Sequence, residues 1–324
     1  MQAVEFINTG GPEAMRLVEV DRPTPGPGEA LVKMGASGLN YSDLMIRNGT
    51  YPGEVKFPYR VGREIAGTVE QLGDSVGNLR VGQRVSGIVP AGGSMAEYAI
   101  APAPALFPTP DTIPDAVAAA IPVQGAAAML TMGSLANVQA GEDVLIHSAA
   151  GGVGGLATQI AVAMGANVVG TTSRDDKLTA ITQLGATAVN YTNSDWTDQV
   201  LAATDGNGAD VVLESLGGQF FTDSWQKASA LDARIVTIGA AYGPVSVDTT
   251  DILVLHRTLM GFNIGSYFPE RGNLVAAALN ELANLVQNGE VTIRISHQVP
   301  LADAADAFAA MEERQNLGKV VVTP

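Results

Sequence analysis

Cysteine is absent from all 324 residues. That excludes disulfides, thiolate nucleophiles and every zinc site built on sulfur, and it accords with a reducing cytoplasm. Histidine is almost as scarce: His147, His256 and His297 are the three present, far apart and without ligand spacing, so no metal site is expected. Basic residues are few, with 18 Lys and Arg against 33 Asp and Glu and a formal charge of −15. Polyanion binding draws most of its affinity from clustered cations, so neither nucleic acid nor an anionic membrane surface is an expected partner. No run of about 18 apolar residues is apparent, which argues against a membrane span. The opening segment, with Glu5 and no basic-then-apolar layout, does not read as a secretion signal. Aromatics make up 5% of the chain, leaving Ala, Val, Leu and Ile to build the core.

What is abundant is glycine, 37 residues, and with 17 prolines it divides the chain into two textures. Up to about residue 120, short Val- and Ile-rich segments (30–38, 64–73, 84–90 and 95–100) are separated by turns such as PTPGPGE at 23–29. That pattern predicts compact β structure. From 121 onward strands alternate with helices. DVLIHS (143–148), NVVGTT (167–172), TAVNY (187–191), DVVLES (210–215) and ARIVTIG (233–239) read as five strands, the arrangement of a parallel sheet covered on both faces. Near 265 an amphipathic helix is expected from Leu274, Ala278, Leu282 and Leu285, followed by VTIRIS, a helix over 301–313 and a last strand, KVVVTP. This tail has no strand–helix repeat of its own and is expected to return to the first domain.

Four glycines within five positions, Gly151, Gly152, Gly154 and Gly155, follow the first strand of the alternating region and open its first helix. Ala149-x-Gly151-x-x-Gly154 is a dinucleotide fingerprint with alanine in its first glycine position. Such a turn brings backbone N–H groups, Val153 included, to a pyrophosphate at a helix N-terminus. An acidic residue ending the second strand would hold a ribose 2′-hydroxyl, but here Ser173 and Arg174 occupy that place. A hydroxyl beside a guanidinium suits a 2′-phosphate, with Lys177 one turn later and Tyr191 ending the next strand on the same side. NADPH is therefore the expected cofactor. Asp175 and Asp176 are read as first-turn helix acids facing solvent.

AAGGVGG, GTTSRDDK and ADVVLESLGG, with GLNYSDLMIRNGTYP (38–52), GREIAGTVEQLGDSV (62–76) and NLGKVVV (316–322), resemble the zinc-independent, zeta-crystallin-like quinone oxidoreductase branch of the medium-chain dehydrogenase/reductase superfamily. The resemblance covers nearly the whole chain. It implies an α/β protein with a Rossmann doubly wound parallel sheet domain over 121–265. A GroES-like β-rich catalytic domain would be built from both chain ends, 1–120 and 266–324. The cofactor would lie in the cleft between them, and the protein would be a homodimer paired through the Rossmann sheets. Zinc-dependent relatives carry GHExxG where this chain has Gly62-Arg63-Glu64-Ile65-Ala66-Gly67, so Arg63 replaces a histidine ligand. His147, ending a buried strand, reads as a hydrogen-bonded structural residue.

Without a metal to polarise an alcohol oxygen, the expected chemistry is hydride transfer to an acceptor that is already electrophilic, a quinone or an α,β-unsaturated carbonyl compound. The resemblance places Asn40 beside the nicotinamide, although a turn residue making a local hydrogen bond is an equally physical reading. Tyr51 matches the tyrosine that related enoyl-thioester reductases use as proton donor; packing against Pro52 is its alternative. Asp43 reads as a carboxylate accepting local N–H groups. Met45 stands where several quinone reductases have tyrosine, so their acceptor contacts do not carry over. Gln124 matches a polar residue near the nicotinamide or serves a helix start. Ser215 and the pair Ile238-Gly239 end the fourth and fifth strands, where backbone contacts to the cofactor are expected. Asn263, Ile264 and Asn316 complete the implied cofactor set. An enoyl-thioester reductase and a non-catalytic NADPH-binding sensor or structural protein are the competing functions.

Overall fold

Between residues 1 and 110 the Gly- and Pro-punctuated segments form eight strands: β1 (Gln2–Phe6), β2 (Met15–Glu19), β3 (Glu29–Gly38), β4 (Tyr59–Arg60), β5 (Glu64–Leu72), β6 (Arg84–Ile88), β7 (Tyr98–Pro102) and β8 (Leu106–Pro108). The computed structural model describes residues 1–324. It divides them into one unit of residues 1–123, 283–288 and 293–324 and a second of 124–282 and 289–292. In the second unit six strands alternate with helices: β9 (Asp143–Ile146), β10 (Asn167–Thr172), β11 (Thr187–Asn190), β12 (Ala209–Glu214), β13 (Ser229–Thr237) and β14 (Thr258–Gly261). The chain closes with β15 (Ile295–Pro300) and β16 (Lys319–Thr323).

The first unit is assembled from distant parts of the sequence. β16 pairs antiparallel with β3, matching Val321 to Gly38 and Val322 to Ser37, and parallel with β15. Its core mixes Val4, Phe6, Leu39 and Ile46 with Phe308, Val320 and Val322, and Phe308 meets Phe6 edge-on at 5.6 Å. β1 and β2, a hairpin-like antiparallel pair, were not among the strands predicted from periodicity, because Glu5, Arg16 and Glu19 interrupt their apolar pattern.

In the second unit the sheet order is β11-β10-β9-β12-β13-β14, and every neighbouring pair is parallel. This is the doubly wound Rossmann order, in which the crevice opens where connections leave the central strand in opposite directions. β14 is a sixth strand beyond the five predicted, and as the edge strand it leaves Thr258, Leu259 and Gly261 exposed. That half-exposed setting explains why its apolar signal is short.

Three further expectations are corrected. The helical stretch Asp115–Leu135 is long and apolar enough to cross a membrane by composition, with a mean hydropathy of 1.5, yet 78% of that window is buried inside the protein. Asp115, Gln124 and Thr131 disguised it in the sequence. It is not a uniform α-helix: around Pro122, which lacks an amide hydrogen, and again at Leu130–Leu135 the turns widen to π geometry. The boundary expected at 266 does not coincide with the structural division, since residues 264–282 pack within the second unit. The helix there, Ile264–Gln287, leaves helical geometry at Arg271, two residues after Pro269. Its buried stripe is Val275, Ala278, Leu279 and Leu282, one residue displaced from the expected start, with Leu274 48% exposed.

At the end of β12, Glu214 is sealed from solvent. Its Oε1 accepts from the amides of Leu216 at 2.8 Å and Gly217 at 3.0 Å, whereas Oε2 has no partner. Burial pushes its pKa up to about 6, against the lowering effect of the two amides. A carboxyl that binds its proton more tightly folded than unfolded favours the folded state at low pH, and that advantage disappears as pH rises through about 6. Relative to Glu214→Gln, wild-type stability should therefore fall by about 2 kcal/mol between pH 4 and pH 8. Urea unfolding of both proteins across that range measures the difference, and parallel curves would contradict it.

Candidate active site

The glycine turn has a distinct use for each missing side chain. A Cβ on Gly152 would overlap the Gln124 carboxamide, and one on Gly154 would overlap the Ser148 carbonyl. Gly152 thus admits Gln124, itself buried, and Gly154 lets the helix start close against the strand end. Gly151 differs. A Cβ there would meet just one atom, the Ser148 oxygen at 3.1 Å, so the space beside it is open. Gly151 is also the N-cap of the helix Gly152–Ala163, and no side chain caps that end. The first-turn amides, Val153 among them, consequently present an unsatisfied, dipole-reinforced anion site. Ser148 enters the turn with φ +55°, and its hydroxyl accepts from Ser215 at 3.3 Å. Ala149 is buried beneath, accommodated by Gly170, where a Cβ would come within 2.7 Å of its own.

Beyond β10, Ser173 is half-buried and Arg174 exposed. Arg174 is held by Asp176, with Nε 3.0 Å from Oδ1 and Nη2 2.6 Å from Oδ2. Asp175 and Asp176 are first-turn acids exposed to solvent, as expected, and each also has a partner: Asp176 grips the guanidinium, and Asp175 accepts from Asn190 Nδ2 at 2.7 Å. Lys177 is buried rather than extended into solvent. Tyr191 is also buried, its hydroxyl 3.4 Å from that of Tyr242 and its ring edge-on to Phe220. Ile238 is half-buried and Gly239 exposed at the end of β13. Asn263 is exposed and accepts from the Gly265 amide at 2.8 Å, opening the helix that begins at Ile264. His147 is 1% exposed, with Nδ1 2.8 Å from Thr171 and Nε2 2.7 Å from Ser224, and burial lowers its pKa to about 3. It is a neutral structural residue.

The first unit carries a polar cluster that sequence spacing did not reveal. Lys319 Nζ lies 2.6 Å from Glu64 Oε2 and 2.9 Å from Asn40 Oδ1, and Asn40 Nδ2 donates to Glu64 Oε2 at 3.0 Å. Glu64 Oε1 also accepts from the Val123 amide at 2.7 Å. Both ends of the Asn40 amide are therefore occupied, and its orientation is fixed. Asp43 accepts from the Asn40 amide hydrogen at 2.9 Å, as a local acceptor should. Burial raises its pKa to about 6 despite that bond and the Arg63 and Lys319 charges. Burial likewise lowers the Lys319 pKa, with Glu64 opposing. Residues 64 and 319 sit in the quoted GREIAG and NLGKVVV motifs, but only the pairing of β16 into the β3–β5 sheet brings them together. Asn316 donates to the Gly318 carbonyl at 3.1 Å.

Arg63 is flanked by two phenols. Its Nη1 donates to Tyr51 Oη at 2.7 Å and its Nε to Tyr59 Oη at 3.0 Å, and its charge lies 4.6 Å from the Tyr51 ring centre. Burial raises the Tyr59 pKa, with Arg63 opposing. This set does not fit a catalytic zinc. Cysteine is absent, Arg63 stands at the histidine position, and no three His, Asp or Glu side chains are grouped to hold a metal.

Residues 26–111 match the alcohol dehydrogenase GroES-like domain and residues 152–283 the family described as zinc-binding dehydrogenase. A quinone oxidoreductase of Pseudomonas aeruginosa is 33% identical over 99% of this chain and 99% of its own. The chain belongs to the medium-chain dehydrogenase/reductase superfamily, in its zinc-independent quinone oxidoreductase branch. Among solved structures, Escherichia coli quinone oxidoreductase complexed with NADPH superposes with a TM-score of 0.94 at 28% identity, covering 100% of both chains. A mycobacterial protein complexed with NADPH gives 0.92 at 33% identity, again over 100% of both.

Removing the Lys319 ammonium strands the Glu64 carboxylate in a sealed site. Lys319→Met should cost about 3–5 kcal/mol of unfolding free energy, and adding Glu64→Gln should return part of it. Denaturant titration of the single and double variants provides the measurement; equal stability of Lys319→Met and wild type would refute the role.

Proposed function

We propose that this protein is an NADPH-dependent reductase that delivers hydride to a quinone or an α,β-unsaturated carbonyl compound. The observation that carries this reading is the uncapped, open turn at Gly151, with the Arg174 cation after β10, in a chain whose relatives include NADPH complexes. The reduced nicotinamide supplies the hydride. Ala149 to Gly154 would hold the pyrophosphate, and Ser173, Arg174, Lys177 and Tyr191 line the strand ends where the 2′-phosphate would be read. Gln124, Ser215, Ile238, Gly239, Asn263, Ile264, Asn40 and Asn316 remain the proposed contacts for the rest of the cofactor. Electrophilic acceptors spread the incoming charge over their own π systems, so the protein's task is orientation and exclusion of water.

Mixing purified protein with NADPH and a panel of 1,4-benzoquinone, 9,10-phenanthrenequinone, 2-cyclohexen-1-one and crotonoyl-coenzyme A tests the assignment. Oxidation of NADPH by a quinone or the enone supports it. Turnover of the thioester alone would replace it with an enoyl-thioester reductase, and binding with no turnover would replace it with a sensor. The Arg174–Asp176 pair makes a sharper forecast, because a 2′-phosphate must compete with the Asp176 carboxylate. Asp176→Ala should tighten NADPH binding several-fold, while Arg174→Ala weakens NADPH about tenfold more than NADH. Calorimetry with both cofactors reads each change.

We also propose a homodimer formed through β14. It is an edge strand with unpaired backbone groups, Leu259 on it is 37% exposed, and Leu253 and Val254 just before it are 74% and 62% exposed. Proteins do not leave such an edge uncovered without protection against pairing. Light scattering should give twice the chain mass for wild type and the single-chain mass for Leu259→Lys.

A further inference from the structure

We infer that Arg63 is a positioning residue for proton delivery, fixing which way the Tyr51 hydroxyl donates and holding the charge left behind when it does. The inference rests on the enone-reductase reading above and deepens it. Arginine has five N–H donors and no acceptor. In the 2.7 Å contact between Arg63 Nη1 and Tyr51 Oη, the phenol oxygen must therefore accept. The Tyr51 hydroxyl has a single hydrogen, and that hydrogen cannot point at Arg63. It is directed away from the guanidinium.

The same logic applies at Tyr59, whose oxygen accepts from Arg63 Nε at 3.0 Å. The two phenols brace the planar guanidinium from both sides, with their ring centres 4.6 Å and 6.0 Å from its carbon. Neither hydrogen-bond partner is a carboxylate, so the cation is not neutralised at the point where it meets Tyr51. Asp43, whose charge interacts with that of Arg63, makes no hydrogen bond to it and accepts instead from the Asn40 amide. Tyr51 is half-buried, in the loop that follows the helix Tyr41–Asn48.

The charge bookkeeping makes this arrangement useful. Hydride addition to the β-carbon of an enone converts the π bond into an enolate, whose electron pair is shared by the α-carbon and the oxygen. The Tyr51 O–H bond then breaks, its proton bonds to the α-carbon, and the electron pair of that bond stays on Oη as phenolate. Arg63 already donates to this oxygen, so a hydrogen bond from a cation to a neutral phenol becomes an ion pair as the proton leaves. A proton from solvent restores the phenol, and the cycle takes up one proton overall. A quinone behaves differently. Its hydroquinone anion is a stable product that needs no carbon protonation, so Arg63 should matter little there.

The test compares kcat and KM of wild type, Arg63→Met, Arg63→Lys, Tyr51→Phe and the Arg63→Met/Tyr51→Phe double variant with 2-cyclohexen-1-one and 1,4-benzoquinone. NADPH binding is followed by calorimetry as a check on folding. Arg63→Met is expected to lower kcat for the enone about tenfold or more, to change kcat for the quinone less than about twofold, and to leave NADPH affinity intact. Arg63→Lys, still a donor without acceptors, should recover part of the loss. In the Tyr51→Phe background the arginine change should have little further effect, because both act on one proton. Equal losses on both acceptors, or an undiminished loss in the Tyr51→Phe background, would overturn the assignment. Quinone turnover without enone turnover by the wild-type protein overturns it while leaving hydride transfer standing. No turnover of either acceptor overturns both.

Discussion

An ammonium and a carboxylate 2.6 Å apart, each with almost no exposure to water, connect the last strand of this chain to β5. Isolated buried charges are prohibitively costly, and paired ones are tolerated where every remaining lone pair and proton is also engaged. Asn40 and the Val123 amide supply such contacts here: Lys319 also donates to Asn40 Oδ1, and Glu64 also accepts from Asn40 Nδ2 and the Val123 amide. Their geometry ties together four segments that share no sequence neighbourhood: the entry to the helix at Tyr41, the GREIAG strand, the chain near 123 and the tail. The polar cluster of Asp43, Arg63, Tyr51 and Tyr59 joins this pair through Asn40, whose amide hydrogen Asp43 accepts. In a superfamily where this region can hold zinc, the present chain balances two cations with two acids and keeps phenols in reach.

The second unit solves a different problem. In the proposed function a backbone turn would present amides to a dianionic bridge without any side chain intruding, and the glycines of that turn have separate tasks. Gly152 accommodates Gln124, Gly154 seats the helix on the strand end, and Gly151 leaves open space. The conformational cost of glycine, about 0.5–1 kcal/mol per residue in regular structure, is met by the surrounding sheet. Its strands β9 and β12 are buried along most of their length.

Much of this was legible in the amino-acid sequence, because the relevant signals were local. The alternation of strand and helix after 121, the fingerprint Ala149-x-Gly151-x-x-Gly154 and the substitution of Arg63 for histidine can each be read within a dozen residues. What escaped was either long-range or hidden by exposure. Lys319 and Glu64 are 255 positions apart, and no periodicity links them. β14 was missed because an edge strand alternates poorly, and Asp115–Leu135 because polar residues interrupt a helix that tertiary packing nevertheless buries. The Arg174–Asp176 pair was not legible because nothing in the local pattern says which group an exposed guanidinium will meet. A short acidic neighbour two residues away competes for the same guanidinium.

The threading of β16 between β3 and β15 also bears on how the polypeptide is made. Residues 124–282 can complete their own sheet while translation continues, but residues 1–123 cannot. Their larger sheet lacks β15 and β16, and Glu64 its counter-ion, until residues 295–323 are available. The unit that begins first is thus the one completed last, and loss of the segment from Lys319 onward removes a strand and a counter-ion from the earlier portion of the molecule rather than merely trimming the later one.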